Sequence, residues 1–180
     1  QSADVVVVDI PLDISFLDEE PQLRMSSLEQ AIRVVGKQVP AGALVLIETT
    51  VPPGTCENVV VPVLQDELRR RNLDQHAIHL AFSFERVMPG NEYLDSIVNY
   101  WRAYAGHTAV AADVCESFLT SIIDIERFPL TRLSSMTAAE TTKVMENTYR
   151  AINIALIHEW TQYAEAVGVE IGRASCRERV

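Results

Sequence analysis

The chain has 180 residues, 48% of them hydrophobic and 22% charged. That is enough for one domain with a sizeable core or for parts of two, and it excludes the disordered and fibrous classes. With 15 Lys and Arg against 25 Asp and Glu, the net charge of -10 disfavours nucleic-acid backbones and anionic membranes as partners. No apolar run approaches the roughly 18 residues that cross a bilayer, and the first residues lack the regions of a signal peptide, so a cytoplasmic location is expected.

In chain order, residues 3–10 are a β-branched run of the kind that forms a strand buried on both faces. The Asp18-Glu-Glu-Pro21 stretch is expected as a surface loop. Residues 26–39 place Leu28, Ala31, Ile32, Val35 and Val39 at helical spacing, with Ser26 or Ser27 available as N-cap, and Pro40-Ala-Gly ends the helix. Residues 43–47 form a second buried strand, followed by Glu48-Thr-Thr-Val-Pro-Pro-Gly-Thr55, a turn rich in hydroxyls. A helix is expected over 57–71, with Asp66, Glu67, Arg69, Arg70 and Arg71 as a solvated charged end. Strands over 79–83 and 102–105 and a helix over 108–123 complete the alternation, which implies a doubly wound parallel sheet. Thr49, Thr50 and Glu85 then fall beyond the carboxyl ends of strands, where such sheets carry function.

After Pro129 the alternation stops, and residues 137 to about 168 form one long helix without Pro or Gly until its end. Met145, Tyr149, Ile152, Leu156, Trp160 and Tyr163 make an apolar stripe at steps of three and four, more apolar surface than one partner covers. Residues 171–180 are basic, break this pattern, and are the translation of ATC GGA AGA GCG TCG TGT AGG GAA AGA GTG, which resembles sequencing-adapter read-through. They are set apart as an artefact together with Cys176.

Several polar groups could carry chemistry. Lys143 and Asn147 project from one side of the long helix about one turn apart. They suit either a solvated face with a polar packing contact or the stabilisation of a developing oxyanion. Thr49, Thr50 and Thr55 supply hydroxyls and backbone N–H groups suited to phosphate, ribose or an attacking water, although turn chemistry also accounts for Pro-Pro-Gly. Glu85 beside Arg86 is either a surface ion pair or a general base. Cys56, Cys115 and Cys176 contain no CxxC pair, and His76 with His79 lacks further ligands, so neither a disulfide framework nor a metal site is expected. His107 and His158 are expected as packing or surface residues. No GxGxxG and no phosphate loop of the Walker type occur.

Three blocks in order carry a resemblance: Glu48-Thr-Thr-Val-Pro-Pro-Gly-Thr55, Phe84-Glu-Arg-Val-Met-Pro-Gly90 and Ala139-Glu-Thr-Thr-Lys-Val-Met-Glu-Asn-Thr-Tyr-Arg-Ala-Ile-Asn-Ile-Ala155. Together they resemble the UDP-glucose/GDP-mannose dehydrogenase family over nearly all of residues 3–170, and the second block looks more like the branch acting on N-acetylated or related UDP sugars than like the glucose enzymes. The resemblance implies oxidation of the C6 hydroxymethyl of a nucleotide sugar to a carboxylate, with two NAD and aldehyde and cysteine thioester intermediates, for surface-polysaccharide precursors. It matches Lys143 and Asn147 to the oxyanion-stabilising pair, and Thr50 and Glu85 to the groups that position or activate water. Ile10, Pro11, Thr49, Thr50 and Glu85 match positions lining the NAD site.

The implied architecture is the C-terminal part of a Rossmann-like parallel-sheet domain over 1–130, then a long central dimerisation helix over 131–170 that makes a homodimer. The glycine-rich turn that cradles the dinucleotide and the catalytic cysteine fall outside these residues, so the chain alone is expected to bind NAD poorly and not to turn over. His158-Glu159 departs from the Asn-Glu of many members. Two other readings stay open. One is a Rossmann dehydrogenase of the 6-phosphogluconate or hydroxyisobutyrate type, against which the Pro-Pro-Gly and Glu-Arg-Val-Met-Pro-Gly blocks argue. The other is a non-catalytic dimerisation module.

Overall fold

The computed structural model describes residues 3–17, 20–87, 90 and 92–169. The expectations about residues 171–180, and the Met88-Pro89 step of the second block, lie outside them. The chain divides into two compact units, Gln1–Thr141 and Thr142–Val180.

The first unit is built on a five-stranded sheet of order β1-β4-β5-β6-β7: β1 (Val5–Val8), β4 (Leu44–Ile47), β5 (His79–Ser83), β6 (Ala103–Gly106) and β7 (Thr131–Arg132). β1, β4 and β5 run parallel, so their carboxyl ends share one edge, with Val8 opposite Ile47 and Ile47 opposite Phe82. β4 is buried along its whole length. Val45 and Ile47 enter the core under α1 (Ser26–Gln38) and α2 (Val61–Arg70), while Leu44 and Leu46 enter a second core with Cys115 and Leu119 of α4 (Ala109–Thr120). Its unbroken apolar run is the sequence form of a strand covered on both faces.

The structure corrects several expectations. β6 is antiparallel to β5, so the sheet is mainly rather than wholly parallel. Alternation of apolar runs carries no information on strand direction. The stretch around Asp18-Glu-Glu-Pro21 is flanked by strands, β2 (Asp13–Leu17) and β3 (Glu20–Arg24), which form an antiparallel pair of their own. Pro21 is tolerated there because a two-stranded ribbon consists only of edges. α3 (Tyr93–Val98) and β7 have no counterpart in the sequence pattern.

α1 starts after Met25 without a side-chain cap, so neither Ser26 nor Ser27 caps it. The helix expected over 57–71 opens with a π-helical stretch, Cys56–Val60. Its charged end is not simply solvated. Glu67 is buried and lies 3.4 Å from Arg33 and 3.3 Å from Arg70, and Arg71 donates to the carbonyls of Gly36 and Val39 at 2.8 and 2.7 Å. These bonds close the carboxyl end of α1, whose last carbonyls have no intrahelical donors.

Described by itself, the second unit is the greater part of α5 (Met136–Ala166). Met145, Tyr149, Ile152, Leu156, Trp160 and Tyr163 are all exposed along it.

Candidate functional site

The parallel register brings the residues that follow β4 and β5 to one edge of the sheet. Thr49 is buried. Its Oγ1 accepts from the Ile10 N–H at 2.7 Å and donates to the Val8 carbonyl at 3.4 Å, fastening the end of β1 to β4. Thr50, the next residue, is exposed. Glu85 leaves β5 half-buried, and its Oε2 accepts from the Val87 N–H. Ile10 packs partly buried against the core and Pro11 is exposed. Of the expected site residues, Ile10, Thr49, Thr50 and Glu85 therefore lie along the carboxyl edge of three adjacent strands. Thr49 holds the frame, while Thr50 presents the accessible hydroxyl.

Of the two readings of the Pro-Pro-Gly turn, its local geometry follows the turn-chemistry one. Thr55 Oγ1 donates to the Pro52 carbonyl at 2.7 Å, closing the turn, and Gly54 takes φ +88°, which glycine alone adopts without strain. The N–H groups of Gly54 and Cys56 are not free for a phosphate. They donate at 2.5 and 2.7 Å to the two carboxylate oxygens of Glu140, a fully buried side chain at the start of α5. An internal anion occupies the helix start where an external one would sit. These two N–H groups are therefore already bonded inside the protein, and the exposed Thr50 hydroxyl and the half-buried Glu85 carboxylate are the polar groups left at the strand ends.

A further buried ion pair was not visible in the sequence. Arg102, just before β6, reaches Glu48 with Nη1 2.5 Å from Oε1, both side chains being largely buried. Burial nevertheless pushes the Glu48 carboxyl up, against the opposing pull of Arg102, and the Asp9 and Glu85 carboxylates push the same way.

Both described cysteines, Cys56 and Cys115, are fully buried. Burial, and then the Glu140 carboxylate, push the Cys56 thiol far up, and burial pushes Cys115 up to about 12. Both are free thiols. A Cys176→Ser chain should therefore show no fast reaction with a thiol-disulfide reagent at pH 8 and two reactive thiols after unfolding, since the thiolate is the reacting form. Fast reaction of a native thiol would contradict this burial.

Lys143 and Asn147 lie in the second unit, four residues apart on one side of α5. His79 opens β5 at the edge opposite Glu85, and with His76 and His107 it borders a cavity of about 280 Å³ under α2 and α4. Among the described residues no group of three or more His, Cys, Asp or Glu could hold a metal ion. His107 Nδ1 lies 3.4 Å from Glu57.

Comparison with known proteins agrees with this framework. Residues 1–115 match the NAD binding domain of the UDP-glucose/GDP-mannose dehydrogenase family, and residues 137–175 match that family's central domain. A UDP-N-acetyl-D-mannosamine dehydrogenase of Pyrococcus horikoshii is 35% identical over 170 residues, 94% of this chain and 37% of the relative. A UDP-N-acetyl-D-glucosamine 6-dehydrogenase of Pseudomonas aeruginosa is 33% identical over 171 residues, 94% of this chain and 38% of the relative.

Among solved structures, a UDP-D-ManNAc dehydrogenase from Pyrococcus horikoshii superposes with a TM-score of 0.78 at 31% identity, covering 99% of this chain and 41% of the other. A GDP-mannose dehydrogenase from Pseudomonas aeruginosa, at 20% identity, shares the fold with a TM-score of 0.77 over 98% of this chain and 39% of that one. The fold is that of a Rossmann-type dehydrogenase. The chain belongs to the UDP-glucose/GDP-mannose dehydrogenase family, whose cofactor is NAD. It spans less than two-fifths of the length of these two curated relatives.

Proposed function

We propose that the chain carries the nicotinamide side of the cofactor site and the central helix of an NAD-dependent nucleotide-sugar 6-dehydrogenase. Its substrate is a UDP-sugar of the N-acetylated class, and its product a uronate for surface-polysaccharide precursors. The observation that carries this reading is the strand-end array of Ile10, Thr49, Thr50 and Glu85, followed in the chain by Lys143 and Asn147 one helical turn apart. The names of the relatives favour the N-acetylated sugar. The net reaction converts R-CH2OH, one water and two NAD+ into R-COO-, two NADH and three protons. NAD, when bound, supplies the hydride acceptor.

The chain's own residues do the rest. Lys143 offers an ammonium and Asn147 an amide N–H to the oxygen that gains negative charge. Thr50 orients the water, and Glu85 takes its proton. Ile10 and Pro11 present apolar surface to the cofactor while Thr49 fixes the strand ends beneath it. In the whole enzyme, Lys143→Met should lower kcat by about 10²–10³-fold with KM nearly unchanged. A drop confined to KM would remove the oxyanion role.

The exposed stripe from Met145 to Tyr163 is assigned to a homodimer, because an apolar face of this length is costly in water. Sedimentation at micromolar concentration should give twice the chain mass, and Tyr149→Glu with Trp160→Glu should give a monomer; a monomeric parent chain would remove this assignment. No helix among the described residues is long and apolar enough to cross a membrane, and we place the enzyme in the cytoplasm with its nucleotide-sugar substrate. Sequencing the gene on both sides of this segment tests the overall reading. A glycine-rich turn upstream and a glycine-flanked cysteine downstream support it, and a gene lacking both overturns it.

A further inference from the structure

Three side-chain bonds converge on residues 101–103, the short segment that leads into β6. Arg102 Nη1 lies 2.5 Å from Glu48 Oε1, Ser83 Oγ donates to the Ala103 carbonyl at 3.1 Å, and Arg86 Nη1 donates to the Trp101 carbonyl at 3.3 Å. Arg86 also stacks on Phe84 and Tyr100, its guanidinium carbon 5.5 and 5.4 Å from the ring centres. Residues 48, 83 and 86 bracket the strand-end array, since Glu48 immediately precedes Thr49 and Thr50, and Ser83 and Arg86 flank Glu85. A segment far from these loops in sequence thus ties both of them to one anchor.

We infer that Arg102 is a positioning residue for the water-handling pair Thr50 and Glu85, acting by holding Glu48 inside the sheet edge. The inference rests on the function proposed above. Three carboxylates act on one another at this edge, Asp9 after β1, Glu48 after β4 and Glu85 after β5, while Arg102 just before β6 and the Cys115 thiol on α4 also act on Glu48. Arg102 is buried and opposes the repulsion among the carboxylates. Without its charge, Glu48 has a buried, poorly compensated carboxylate and turns toward water. That movement drags Thr49 from the Ile10 N–H and Val8 carbonyl, and Thr50 moves with it. Burial favours neutral Glu48, so without Arg102 a lower pH favours the protonated side chain that needs no partner charge, and a higher pH the uncompensated carboxylate.

The test compares Arg102→Met, Arg102→Lys, Arg102→Met with Glu48→Gln, and Glu85→Gln in the whole enzyme. Relative to the parent, Arg102→Met should lose about tenfold or more in kcat at pH 8.5, with KM for the UDP-sugar within about threefold. The deficit should shrink at pH 6.5. Arg102→Lys should keep most of the activity, and adding Glu48→Gln should restore part of what Arg102→Met loses. An Arg102→Met deficit equal at every pH and not relieved by Glu48→Gln would overturn the inference, as would unchanged kcat. If Arg102→Met does not fold, the double variant carries the test: folded and active, it supports the inference, and folded with no kcat, it refutes it. Glu85→Gln separates the two levels, because full activity there would refute the water-handling role itself, whereas loss there with an indifferent Arg102 refutes only the positioning role.

Discussion

Glu140→Ala is expected to destabilise the first unit by roughly 3–5 kcal/mol, because a buried carboxylate accepting two backbone N–H bonds supplies two charge-assisted hydrogen bonds at once. Its oxygens hold Gly54 and Cys56 at 2.5 and 2.7 Å, and no water reaches the side chain to replace them. Removal leaves a buried donor on Cys56 and a half-buried one on Gly54 at the start of the Cys56–Val60 stretch, with a void beside them. Glu140→Gln keeps one acceptor and should lose about half as much. Urea unfolding of the chain measures both. A midpoint for Glu140→Ala equal to that of the parent would mean that these donors find other partners.

Gly106→Ala should be of comparable severity, with a loss beyond about 3 kcal/mol and little folded protein recovered. A Cβ at Gly106 would stand 2.2 Å from the Ala112 nitrogen and 2.6 Å from the Thr108 carbonyl oxygen. Both are backbone atoms of the first turn of α4, where the Thr108 side chain accepts from the Ala111 N–H and sets the helix start. They cannot yield without moving α4 away from Leu44, Leu46 and Tyr104. Gly42→Ala is the control. Its φ of +84° imposes strain of about 1–2 kcal/mol, but nothing lies within 4 Å of the added carbon. Circular dichroism melts of the two variants should differ widely, and equal melting temperatures would mean that α4 is not seated on β6 as described.

β4 and β5 were legible because a strand covered on both faces is written as an uninterrupted apolar run, and α5 because its stripe keeps helical steps for six positions. β1 forms from the same kind of run but is not buried on both faces as expected, since Val7 is exposed and Val5 and Val6 are half-buried. Thr50 and Glu85 could be placed at strand ends from that order alone. The roles of Glu140 and Arg102 could not, since their partners lie 84 and 86 residues away in one case and 54 in the other, and no local pattern announces such bonds. The antiparallel turn of β6 was hidden for a related reason: burial and period are the same for either direction. The β2–β3 ribbon was masked by acidic residues and Pro21, which read as loop wherever pairing is not already known.

Family resemblance carried Lys143 and Asn147 further than spacing did. On spacing alone an ordinary polar face is the favoured reading of the pair, and the oxyanion role is what the three blocks in order imply. The Gly54 and Cys56 N–H groups, which read in the sequence as available to a ligand, are instead bonded by Glu140.

The most direct test of the dehydrogenase assignment is the yield of NADH, read by absorbance, per UDP-N-acetyl sugar consumed by the whole enzyme. Two NADH for each uronate formed is the expected result. One NADH per sugar with release of an aldehyde, or no NADH with any UDP- or GDP-sugar, would contradict it.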